Sequence, residues 1–100
     1  MKESTFQANL IRRIKSAFPG SIVLKNDANY IQGFPDLLIL YGDKWAVLEC
    51  KGGKGFHLQP NQEYYVSALN KMGFSDVIYP ENEDEVIDAL SLYFERSRKE

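Results

Sequence analysis

The run DLLILYGDKWAVLECK, residues 36–51, decides the architecture. Its β-rich segments Leu37 to Leu40 and Trp45 to Cys50 are separated by Tyr41-Gly42-Asp43-Lys44, in which Gly42-Asp43 reads as the two-residue turn of a hairpin. Such a turn sets the register: Tyr41 faces Lys44, Leu40 faces Trp45, Leu38 faces Val47 and Asp36 faces Glu49. Side chains alternate along strands. Asp36 and Glu49 therefore share the apolar face of Leu38, Leu40, Trp45 and Val47, with Cβ atoms ~5 Å apart, and Lys51 projects from the same side. Like charges opposed on a half-buried sheet cost stability. A shared proton, Lys51, or a hard divalent cation such as Mg²⁺ held by oxygens from two strands would each offset the repulsion. On these residues alone an ordinary hairpin with a surface Glu49–Lys51 pair also remains open.

Working outward, Phe6, Leu10, Ile14 and Phe18 recur every four residues beside Ile11 and Ala17, which predicts a helix from about Ser4 to Phe18. Ser4 and Gln7 have capping-box spacing, Pro19-Gly20 stops the helix, and Arg12, Arg13 and Lys15 mark its outer face. Ser21 to Lys25 reads as a strand and 26–33 as a polar loop. Gly52-Gly53-Lys54-Gly55 lacks the ending of a phosphate-cradling loop and reads as a flexible connector. Pro60 suits the first turn of a second helix with an inner stripe of Leu58, Gln62, Tyr65, Leu69 and Met72, closed by Gly73. Phe74 to Tyr79 is a fourth strand. Asn82 caps a last helix that buries Val86, Ile87, Leu90, Tyr93 and Phe94. The expected class is α/β in the order αβββαβα, a mixed four-stranded sheet with helices on both faces.

The 100 residues, 44% of them hydrophobic, suit one domain spanning 1–100. One cysteine permits neither an internal disulfide nor a zinc cluster. No apolar run approaches the ~18 residues of a membrane span and no leader pattern opens the chain, so the expected location is the cytoplasm of a bacterial or phage-infected cell. The net charge of −2 hides an asymmetry: residues 1–75 hold nine Lys/Arg and six Asp/Glu, whereas residues 76–100 hold three and eight. With some of the first six acids occupied by metal, that part of the surface would be cationic and suited to a phosphate backbone; a solvated acidic last helix on a neutral domain is the plainer reading. His57 is the only histidine, which leaves no second imidazole for an HNH-type metal site. Cys50 alternates away from Glu49 and reads as core, as Trp45 reads as packing.

Gly33-Phe34-Pro35-Asp36 followed by Glu49-Cys50-Lys51 resembles the PD-(D/E)XK nuclease superfamily, whose core is αβββαβ, and within it the small VRR-NUC type. The resemblance extends to Glu3 and Gln7 on the first helix, a strand near Lys25-Asn26, the segment Leu58-Gln59-Pro60-Asn61-Gln62, and a helix ending at Gly73. It covers roughly residues 3–80. It implies that Asp36 and Glu49 hold Mg²⁺ or Mn²⁺, with the main-chain carbonyl of Cys50 a further ligand, and that Lys51 is the catalytic lysine. Glu3 would complete a second metal position or hold a water, unless the Ser4 capping box leaves it outside the helix. Gln62 would contact metal water, Lys51 or phosphate; the alternative is a helix-start glutamine bonded to nearby backbone. Lys54 and Lys25 are candidate DNA contacts, each equally readable as a solvated surface lysine. The implied activity is a metal-dependent DNA endonuclease acting as a homodimer on branched DNA, with Holliday-junction resolution favoured. The alternatives are a nuclease subunit targeted by a partner protein and a non-catalytic DNA-binding or assembly module that has kept the fold.

Overall fold

The computed structural model describes residues 2–96. The elements follow the expected order: α1 (Glu3–Ala17), β1 (Ile22–Lys25), β2 (Leu37–Tyr41), β3 (Lys44–Cys50), α2 (Pro60–Met72), β4 (Phe74–Ile78), a 3₁₀ turn (Pro80–Asn82) and α3 (Glu83–Glu95). The sheet order is β1-β2-β3-β4, antiparallel except for the β3/β4 pair, which α2 connects as a crossover. The β2/β3 register is the expected one, with Leu38 opposite Val47 and Tyr41 opposite Lys44. Only Gly42 of the two turn residues has positive φ, at 64°, as the first central position of a type II′ turn requires.

The core lies on one face of the sheet. Phe6, Leu10, Ile14 and Phe18 from α1 and Val86, Ile87 and Leu90 from α3 close over Leu37, Ile39, Ala46, Leu48, Cys50 and Ile78. Each large side chain taken fully out of water there contributes about 1.5–3 kcal/mol. Arg13 ties the two helices together, its Nη1 donating to Glu83 Oε2 at 2.7 Å and Asp84 Oδ1 at 2.8 Å. α2 lies on the opposite face, and its C-cap Gly73 packs on it: a Cβ there would meet the Trp45 indole at 2.8 Å. The backbone of Gly73 is extended, at φ −164°, so the position needs glycine for the ring contact and not for helix termination.

Four expectations need correction. The Ser4–Gln7 capping box does not form: Lys2 is the N-cap, without a side-chain hydrogen bond, and Ser4 lies within the helix. Asn82 occupies the N-cap position of α3 but makes no cap bond; its side chain accepts from the Tyr79 N–H at 2.8 Å and donates to the Val77 carbonyl at 2.9 Å, closing the 3₁₀ turn instead. The face of Leu38, Leu40, Trp45 and Val47 is the more open of the two, with Leu40 38% exposed and Val47 alone fully buried. Finally, Leu58 precedes α2, Met72 is exposed, and no residue of α2 is fully buried. A single helix over a half-covered sheet face cannot enclose its own stripe. Among the described residues no helix is long and apolar enough to cross a membrane.

Candidate functional site

The open face carries the polar cluster. β2 begins at Leu37, so the ladder ends one pair short of Asp36 and Glu49. Asp36 is held by other bonds. Its Oδ2 accepts from the Cys50 N–H at 2.8 Å, and its own carbonyl accepts from the Asn26 N–H at 2.8 Å. The Asn26 side chain donates to the Pro35 carbonyl at 2.7 Å. One asparagine at the end of β1 therefore clamps both residues of the Pro35-Asp36 step. Lys51 follows the end of β3, its N–H bonded to the Ile78 carbonyl at 2.9 Å, so both sheet neighbours fix the Glu49-Cys50-Lys51 backbone.

Gln62 completes the cluster. Its Oε1 accepts from Lys51 Nζ at 3.2 Å and from the Gln59 N–H at 2.9 Å, while its Nε2 donates to Glu49 Oε2 at 3.2 Å. In return the Gln59 side chain accepts from the Gln62 backbone N–H, forming a capping box at the start of α2. The two readings of Gln62 are thus one arrangement: a single amide caps the helix and bridges the acid to the lysine. Lys51 Nζ also lies 3.7 Å from Glu49 Oε2.

Glu49 is only 3% exposed. Burial pushes its pKa up to about 8, the negative charge of Asp36 adds to the rise, and Lys51 offsets part of it. Glu3 contributes a smaller rise, so the first turn of α1 lies within electrostatic range of the site. Among the described residues, however, no three His, Cys, Asp or Glu side chains gather into a group able to hold a metal. Glu3 is exposed and does not join Asp36 and Glu49 as a third acidic side chain. Cys50 is fully buried in the core, its thiol pKa raised first by burial and then by Asp36 and Glu49; only its main-chain carbonyl remains as a donor. The donor set is therefore two carboxylates, which are hard oxygen ligands that fit Mg²⁺ or Mn²⁺ and not a soft metal.

The candidate DNA contacts are less concentrated. Lys54 is exposed in the β3–α2 loop. Lys25, paired with Leu37, alternates to the α1 side of the sheet and is not brought to the carboxylates. Arg13, on the cationic face of α1, is engaged by Glu83 and Asp84.

Three positioning residues escaped the sequence reading. Asn26 clamps Asp36, as above. Gly33, at φ +87°, lies so close to Asn61 that a Cβ would meet its Cγ at 2.6 Å, which seats the loop before Asp36 directly on the first turn of α2. The signal was partial, since Gly33 stands in the quoted motif and Asn61 beside Gln62, but nothing in the spacing pairs them. No family model, curated protein or solved structure matches the chain.

Proposed function

We propose that this chain is a metal-dependent endonuclease that hydrolyses phosphodiester bonds in branched DNA. The observation that carries the reading is the convergence of Asp36, Glu49, Lys51 and Gln62, in which a buried carboxylate sits beside a second one with a single ammonium as offset. Such a pair costs the empty fold stability and gains by holding a divalent cation. Asp36 and Glu49 would hold it, joined by the Cys50 carbonyl, and the ion would supply charge neutralisation and activation of water.

The rest belongs to the chain. Lys51, held by Gln62, presents its ammonium where the nucleophile and the phosphate oxygens meet, so it orients the water and stabilises charge developing on the phosphoryl group. Gln62 fixes the Lys51 side chain and keeps one oxygen of Glu49 occupied. The water oxygen bonds to phosphorus, the P–O3′ bond breaks, and the proton goes to the departing 3′ oxygen, leaving 5′-phosphate and 3′-hydroxyl ends. One site cuts one strand, so paired cuts across a junction require a homodimer. With no separate reading module among the described residues, selectivity rests on DNA shape rather than base sequence.

Incubation with a four-way junction, a flap and plain duplex, in Mg²⁺ or in EDTA, tests this. Expected is Mg²⁺-dependent cutting of the branched substrates that is lost in Glu49→Ala and Lys51→Ala. Absence of cleavage in both Mg²⁺ and Mn²⁺, or cleavage that survives both substitutions unchanged, overturns the proposal.

A further inference from the structure

Beside the carboxylate cluster lies a cleft of about 330 Å³ lined by Gln32, Gly33, Gln59, Asn61 and Gln62. Its chemistry is unusually uniform: four carboxamides and a glycine, with no charged side chain. Two of the amides have work elsewhere. Gln59 accepts from the Gln62 backbone, and Gln62 bridges Lys51 and Glu49. The side chains of Gln32 and Asn61 are exposed and make no hydrogen bond among the described residues. Asn61 is set in place by its contact with Gly33, whose lack of a side chain lets the loop and the helix meet.

No lysine or arginine lines this cleft to favour a phosphate. An uncharged carboxamide instead presents one acceptor and two donors side by side, the pattern that matches the edge of a nucleobase, as in the paired bonds of Asn or Gln to adenine. The volume is near the lower limit of about 300 Å³ for small-molecule pockets, which suits one base and not a stacked run. A base inside a duplex is stacked between its neighbours, so a base seated in the cleft has left the stack and is unpaired. Because Gln62 belongs both to the cleft and to the cluster, the occupant sits next to the reacting phosphate.

From this juxtaposition we infer that Gln32 and Asn61 form the seat of an unpaired nucleobase flanking the cleaved bond. The inference rests on the proposed endonuclease reading and names the feature of branched DNA that the site recognises. The seat gives a shape-selective enzyme a local marker of an opened duplex.

The test is binding in EDTA, which needs no catalysis. Flap oligonucleotides carry an abasic site at each unpaired position near the branch in turn, and affinity is read by fluorescence anisotropy. Expected is one position at which loss of the base weakens binding roughly five- to tenfold in the wild-type protein, with no such difference in the Gln32→Ala/Asn61→Ala variant. Both side chains are exposed, and thermal unfolding checks that the variant is folded. A wild-type protein indifferent to every abasic site, a folded variant that keeps the difference, or no DNA binding at all overturns the seat. The Mg²⁺ cleavage assay separates the two ideas: cleavage without base sensitivity removes the seat alone, whereas base-sensitive binding without cleavage removes the nuclease and leaves the seat.

Discussion

Replacing Glu49 by Gln should make the metal-free protein more stable at alkaline pH. The buried carboxyl keeps its proton to about pH 8, whereas in the unfolded chain it ionises near its ordinary 4.5. Its pKa is raised on folding, so its favourable contribution is complete below pH 4.5, declines as pH rises, and is lost once pH passes 8. Above that, the folded state holds two carboxylates together, with Lys51 as the neighbouring cation. Each pKa unit corresponds to about 1.4 kcal/mol, which sets a ceiling of about 5 kcal/mol on the cost. Local relaxation and water entry reduce this to on the order of 2 kcal/mol. A glutamine keeps the volume and an acceptor for Gln62 and removes the charge. At roughly 4–8 °C per kcal/mol for a domain of this size, Glu49→Gln in EDTA at pH 9 should raise Tm by roughly 8–16 °C, and at pH 4 it should change Tm little. Mn²⁺ should then raise Tm in the wild type and not in the variant. Differential scanning fluorimetry at the two pH values, with and without Mn²⁺, reads all of this. A variant less stable than wild type at pH 9 in EDTA, or one that responds to Mn²⁺ as strongly as wild type, refutes the electrostatic account of the site.

Further substitutions test the scaffold around that pair. Gln62→Ala removes both the amide that holds Lys51 and half of the capping box, so kcat should fall about 10–100-fold, and stability by about 1 kcal/mol in urea denaturation. Gly33→Ala sets a Cβ at positive φ against Asn61; a loss of about 1–3 kcal/mol is expected, together with reduced cleavage as the loop carrying Asp36 lifts from α2. Gly73→Ala drives a methyl group into the Trp45 ring at a cost of about 1–3 kcal/mol, and indole fluorescence should report the displaced ring while Mg²⁺ dependence is retained.

The hairpin and its acids were legible because a two-residue turn leaves one register, and that register carries Asp36 to Glu49 without long-range information. The face that becomes the core was not. Leu37, Leu38, Ile39 and Leu40 are all apolar, so alternation alone cannot say which pair meets α1 and α3, and the structure buries Leu37 and Ile39. Ser4 and Gln7 had the spacing of a cap, but the helix begins a residue earlier at Glu3, and spacing does not say where a helix starts. Gln62 was placed on the inward side by helical period; that it would cap the helix and reach Lys51 together depended on the bend of the loop before Pro60. The Asn26 and Gly33 contacts join segments far apart in sequence, and no local pattern encodes them.

The sharing of the Gln62 amide couples reactivity to the integrity of one helical turn. If the first turn of α2 frays, the lysine loses its anchor and the buried acid loses its amide donor in the same event, so the cluster comes apart before the domain melts. The exchange rate of the Gln59 amide proton, which is bonded to that same oxygen, is therefore a direct gauge of how much of the time this arrangement is intact.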